Sequence, residues 1–149
     1  MEISVVILDF LGVILLPKNH PDVRDRNFLS DPTGSFVLNE DILDFFHKKY
    51  VSKEVNIYIF SDTKMQTTDW FFPKIEWVSH WYHTFSLGVH KFEKEAYKEL
   101  ELHVHGEPNR MLFIDDKIEN VHAAEQAGYA THQYKNNDTL FSFCKTIFI

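Results

Sequence analysis

Residues 4–14, SVVILDFLGVI, decide the fold. Val5 to Leu8, with Phe10 beyond, form an apolar run that reads as a strand buried on both faces, the pattern of a parallel sheet. Asp9 falls where such a strand leaves the sheet, and Gly12 supplies the backbone freedom for a tight turn after it. In open α/β sheets, ligands bind outside the carboxyl ends of the strands. A single carboxylate at that place has two readings, a loop-capping Asp or a ligand-facing one, and the rest of the chain must separate them.

The length, 149 residues, suits one domain over residues 1–149 with a sizeable core. The longest apolar run is too short for a bilayer and no basic region precedes the first apolar stretch, so no membrane association is expected. Cys144 is the only cysteine, which excludes an intrachain disulfide framework and a Cys-based zinc cluster and makes a reducing, cytoplasmic location the default. A net charge of −7 argues against a general nucleic-acid binder.

Strand and helix signals then alternate. Residues 15–38 hold three prolines and little periodicity and read as a long loop, with Arg24 and Arg26 either solvated or available to an anion. Asn39 is expected to cap a helix with Ile42, Leu43, Phe45 and Phe46 facing inward and Lys48 and Lys49 near its end. Residues 55–60, VNIYIF, form the second strand and end in Ser61-Asp62-Thr63, which either cap a helix or offer a hydroxyl to an oxyanion. In the aromatic-rich stretch 64–82, the i, i+4 spacing of Trp77 and Trp81 predicts a shared helical face used for packing. His80, His83, His103 and His105 lack a third ligand at metal-binding spacing and read as surface or structural.

Thr84–Leu87 reads as the third strand, followed by a turn to Lys91 and an amphipathic helix over 93–102 with Ala96, Tyr97 and Leu100 inward. Lys91 is either solvated or held at the carboxyl edge of the sheet, where it would neutralise carboxylates. Residues 110–114, RMLFI, form the fourth strand and end in Asp115-Asp116. Adjacent acids at the end of a buried strand repel unless a cation or hydrogen-bond donors offset them. A helix over 118–127 stopped by Gly128, a strand over 129–133 and a last helix capped by Asn137-Asp138 complete the chain.

Taken in order, ILDFLGVIL, YIFSDT, GVHKFEKEAY and FIDDKIENVHAAEQAGY resemble the four motifs of the haloacid dehalogenase-like (HAD) hydrolase superfamily, over most of the chain outside residues 15–38 and 64–82. A response-regulator receiver domain uses similar residues, but its acidic pair follows the first strand, whereas here the pair comes last. The resemblance implies an α/β fold, a Rossmann-like parallel sheet of order 5-4-1-2-3 flanked by helices. It implies Asp9 as a nucleophile that attacks phosphorus, and Mg²⁺ held by Asp9, the Leu11 backbone carbonyl and Asp116, with Asp115 assisting. Ser61 and Asp62 would bind the phosphoryl group, and Lys91 would screen the crowded negative charge.

One position departs from the family pattern. Its phosphatases carry a second aspartate two residues after the nucleophile, to protonate the leaving group, and here that residue is Leu11. The expectation is therefore a Mg²⁺-dependent phosphohydrolase weakened at Leu11 or using another proton source, for which nine histidines are candidates. The alternatives are a catalytically silent relative that binds a phosphorylated ligand or a protein, and a dehalogenase-like hydrolase, whose halide leaving group needs no proton. No cap domain fits in the spacing, which leaves residues 15–38 as a long loop or vestigial cap insert. An open site is expected to meet a phosphorylated small molecule or macromolecule, or to be covered by a second subunit or protein partner on aromatics between Trp70 and Trp81.

Overall fold

The computed structural model describes residues 2–23, 30–31 and 34–148; Arg24 and Arg26 lie outside them. In chain order the elements are β1 (Val5–Leu8), β2 (Leu15–Pro17), β3 (Phe36–Leu38), α1 (Glu40–Val51), β4 (Asn56–Ser61), α2 (Phe72–Ile75) and β5 (His80–His83). Then follow α3 (Thr84–Leu87), α4 (Lys94–Val104), β6 (Met111–Asp115), α5 (Ile118–Gln126), β7 (Ala130–Gln133) and α6 (Asn137–Ile147).

β1 is buried along its whole length because it pairs in parallel on both edges, Val5 opposite Asn56 of β4 and opposite Met111 of β6. The sheet runs β7-β6-β1-β4-β5, which among its own five strands is the order 5-4-1-2-3. The pleat sends alternate side chains to opposite faces. Val6 and Leu8 join Ile42, Phe46, Leu140 and Cys144 in one core, while Val5 and Ile7 join Tyr97, Leu100, Ala123 and Ala124 in the other. Helices thus cover both faces, as an apolar parallel sheet requires.

Five expectations about local structure change. The third sheet strand is His80–His83, and Thr84–Leu87 is a single helical turn whose Ser86 amide is capped by the His83 ring. β5 sits at the sheet edge, where half-buried histidines and aromatics suffice, so it lacks the apolar signature that Thr84–Leu87 imitates. Trp81 accordingly lies in β5 and shares no helix with Trp77. Within residues 15–38, Leu15–Pro17 and Phe36–Leu38 pair as an antiparallel hairpin, too short to show periodicity.

Asn39 stands at the start of α1, but its side chain makes no cap. Its amide donates to the Val13 carbonyl (2.9 Å) and to Asn137 Oδ1 (3.0 Å), and Asn137 Nδ2 returns a bond to Asn39 Oδ1 (2.9 Å). Tyr134 donates its hydroxyl to Asp22, which also accepts from the Asn137 amide (2.9 Å). The start of α1, the insert and the start of α6 are thereby tied together. The cap of α6 comes one residue early, from Asn136 accepting from the Thr139 amide.

Candidate active site

Every residue singled out at a strand end meets at the carboxyl edge of the sheet. Lys91 is the centre. It lies in the turn before α4, and its ammonium sits 2.6 Å from Asp9 Oδ1 and 2.7 Å from Asp115 Oδ2. Its backbone carbonyl is held by the buried Tyr97 hydroxyl at 2.7 Å, so the same helix face that packs the core fixes the lysine. Lys91 is 4 % exposed and Asp115 is fully buried, so neither charge is screened by water. Burial alone would push the Lys91 ammonium down; Asp9 and Asp115 overturn this and hold it above its ordinary value. Asp115 is further satisfied by the Lys117 amide (2.9 Å) and the Asn120 side chain (3.1 Å).

Asp9 and Asp116 are less well served. Burial, with Asp115 and Asp116 nearby, pushes the Asp9 carboxyl up to about 7 in spite of Lys91. Asp116 is held above the usual carboxylate range, first by burial and then by Asp115. Its Oδ1 is buried with no hydrogen-bond partner among the described residues. One carboxylate oxygen from each of Asp9, Asp115 and Asp116 lies within 4.8 Å of the other two. Gly12 leaves the space for this: with φ at +95°, it lies so close that a Cβ there would come 2.6 Å from Asp116 Cγ. An orphaned oxygen among hard, crowded carboxylates fits a divalent cation such as Mg²⁺.

Ser61 ends β4 on the other side of Asp9, and its hydroxyl is already engaged. It donates to the Thr63 carbonyl (2.6 Å) and accepts from the Thr63 amide (3.1 Å) and the Trp81 indole (3.0 Å). Asp62 accepts from Thr84 Oγ1 at 2.7 Å. A pocket of about 300 Å³ joins these groups, lined by Asp9, Ser61, Asp62, Lys91 and Asp116, by Lys117 and Asn120, and by Leu11, Pro17 and Phe36. Four carboxylates (Asp9, Asp62, Asp115, Asp116) face two ammonium groups (Lys91, Lys117), so a fully ionised site repels a phosphate unless a cation joins it.

Four residues of this site, Asn120, Trp81, Pro17 and Phe36, were not expected there. Asn120 sits one turn into α5 on its inward face, where a buried Asn beside Val121 and Ala124 is the trace to look for. Trp81, Pro17 and Phe36 come to the site through β5, which has no hydrophobic period, and through a hairpin whose strands are too short to show one. None of the nine histidines lines this pocket. The aromatics between Trp70 and Trp81 are no exposed patch: Phe71 is buried and Trp70, Trp77 and Trp81 pack against the larger core. Among the described phenylalanines and tryptophans, Phe85 and Phe92 are the exposed ones. Among the described residues, no helix is long and apolar enough to cross a membrane.

No family model matches the sequence, and no curated protein matches it. Solved structures do resemble it. A predicted HAD-like family hydrolase from Porphyromonas gingivalis superposes with a TM-score of 0.73 at 15% identity, covering 98% of each chain. A HAD family enzyme from Bacteroides thetaiotaomicron, in complex with magnesium and inorganic phosphate, superposes at 0.66 with 15% identity, over 93% of this chain and 99% of that one. The chain spans about half (46%) of the UTR4 protein of Saccharomyces cerevisiae, at a TM-score of 0.52, 16% identity and 63% of this chain. The fold is HAD-like.

Proposed function

We propose that the chain is a Mg²⁺-dependent phosphohydrolase in which Asp9 is the nucleophile. The observation that carries this reading is one buried ammonium, Lys91, clamped between Asp9 and Asp115, with the unpartnered oxygen of Asp116 beside them. Asp9 and Asp116 would hold the metal with the Leu11 carbonyl, Asp115 assisting. Bound Mg²⁺ would neutralise phosphate charge and favour the ionised form of Asp9.

Lys91 fixes one oxygen of Asp9 and leaves the other for attack. The free oxygen forms a bond to phosphorus as the ester P–O bond breaks, and the leaving group departs with the electron pair. Water then attacks phosphorus, releases phosphate and restores the Asp9 carboxylate. Ser61 takes part once its proton swings from the Thr63 carbonyl towards solvent, with Trp81 keeping the oxygen in place. Lys91 holds Asp9 still and offsets negative charge as the bond forms.

A second reading, a silent binding module for a phosphorylated ligand, is favoured by Leu11, which stands 50% exposed in the pocket and moves no proton. Hydrolysis of p-nitrophenyl phosphate with Mg²⁺ decides between them. Asp9→Asn should lower turnover by at least about 10⁴-fold. Leu11→Asp should raise turnover of alkyl phosphates most, by up to about 10²-fold, since a basic leaving oxygen gains most from a proton. A folded, Mg²⁺-binding Leu11→Asp protein inert to every ester assigns the chain to the binding module.

A further inference from the structure

The pocket has two chemically different walls. The ends of β1, β4 and β6 and the turn before α4 contribute all of its titratable side chains. A second set of lining residues, Leu11, Pro17 and Phe36, is apolar. Pro17 and Phe36 are direct cross-strand partners in the hairpin, so they present one continuous face, and both line the pocket. Leu11 lines the same pocket. It bridges to Leu15 at the foot of the hairpin, the Gly12 amide donates to the Leu15 carbonyl at 2.8 Å, and half of the leucine remains in contact with solvent.

We infer that this wall receives the leaving group, and that the substrates are phosphate monoesters of a flat apolar alcohol, aryl esters above all, in preference to sugar or polyol phosphates. The inference rests on the phosphohydrolase reading for its chemistry, and on the pocket walls for its recognition. A sugar hydroxyl laid against Leu11, Pro17 and Phe36 loses water without gaining a hydrogen-bond partner, whereas a ring covers apolar surface the protein now leaves wet. Among the described residues that line this wall, Leu11, Pro17 and Phe36, none has a side chain that donates a proton, so a leaving group seated on them departs as its own oxyanion. Aryl oxyanions are far more stable than alkyl ones, so recognition and chemistry select the same class. The volume, about 300 Å³, lies at the small end of ligand pockets and suits a phosphate with one ring.

Binding of phenylphosphonate and methylphosphonate to the full chain with Mg²⁺, measured by calorimetry, tests this without turnover. Phenylphosphonate should bind about tenfold more tightly. In Leu11→Ser with Phe36→Ala the ratio should fall close to one. Leu11→Ser alone, at a half-exposed position that should tolerate it, should lower the ratio severalfold if the double variant does not fold. Equal affinities in the parent protein, a ratio that survives the substitutions, or no binding of either phosphonate overturns the inference. Phenyl phosphate and glycerol phosphate hydrolysis separate its fate from that of the enzyme. A clear phenyl preference in binding with no ester hydrolysed removes the phosphohydrolase and leaves the apolar wall standing. Equal hydrolysis of both esters keeps the enzyme and removes the inferred specificity.

Discussion

At the two ends of the turn formed by residues 10–14, the interior holds two polar clusters of opposite construction. At the Asp9 end, three carboxylates and one ammonium are crowded together, two of the acids are pushed to high pKa, and an oxygen of Asp116 has no partner. At the Val13 end, Asn39 and Asn137 exchange hydrogen bonds through their amides and close with Tyr134 upon Asp22. The amide cluster is complete as it stands, whereas the charged cluster is incomplete until something positive arrives. A fold tolerates an unsettled cluster where a ligand is to complete it, and settles the cluster that only has to hold segments together.

The strongest way to break this contrast is metal addition. Mg²⁺ at one hundred times its dissociation constant should stabilise the fold by about 2.7 kcal/mol, a rise of roughly 5–10 °C in melting temperature. Asp116→Asn should abolish the gain, and an unmoved midpoint in the parent protein would refute a working cation site. Next comes Asn137→Ala, which takes the Asn137 Nδ2 donor from the buried Asn39 Oδ1 and one of the acceptors from the Asn39 amide. Urea unfolding should show a loss of about 2 kcal/mol, with the Mg²⁺ shift intact. A lost Mg²⁺ shift there would mean that the two clusters are one unit.

The smallest effect is with pH. Asp9 keeps its proton in the folded, metal-free chain up to about 7, whereas the unfolded chain loses it near 3.8. The stabilisation tied to that proton is complete below about pH 4 and is lost as pH rises through 7. Between pH 5 and 8, the melting temperature of the metal-free parent should therefore fall relative to Asp9→Asn, which has no proton to lose. Parallel melting curves for the two proteins would show that Asp9 titrates normally.

The inner strands and the acids and lysine at or just beyond strand ends were legible in the sequence, whereas the five-strand order that brings Asp9, Ser61, Lys91 and Asp115 together came from the resemblance of four motifs taken in order. Buried parallel strands such as VVIL and MLFID announce themselves by unbroken apolar runs, and a charge at the end of one is conspicuous. β5 was not legible because an edge strand of histidine and aromatics has no hydrophobic period to detect. The apolar wall was hidden because Pro17 and Phe36 become neighbours only through a hairpin of three-residue strands. Asn39 read correctly as the residue before a helix, but its side chain serves partners near the far end of the chain, and no local rule reaches that distance.

The placement of β1 has a consequence for the order in which the molecule takes shape. The first strand made is the innermost one, and Val5 finds its neighbours only when Asn56 and then Met111 have been made. Until β6 arrives, VVIL has one edge with unpaired amides and carbonyls, a template for association with another chain. The same late arrival brings Asp115 to Lys91 and Asp9. Closing the last central edge of the sheet and assembling the charged site are therefore one event, reached through long-range contacts that slow folding. A chain stopped before residue 111 would hold neither a finished sheet nor the Asp115 carboxylate that Lys91 bridges to Asp9.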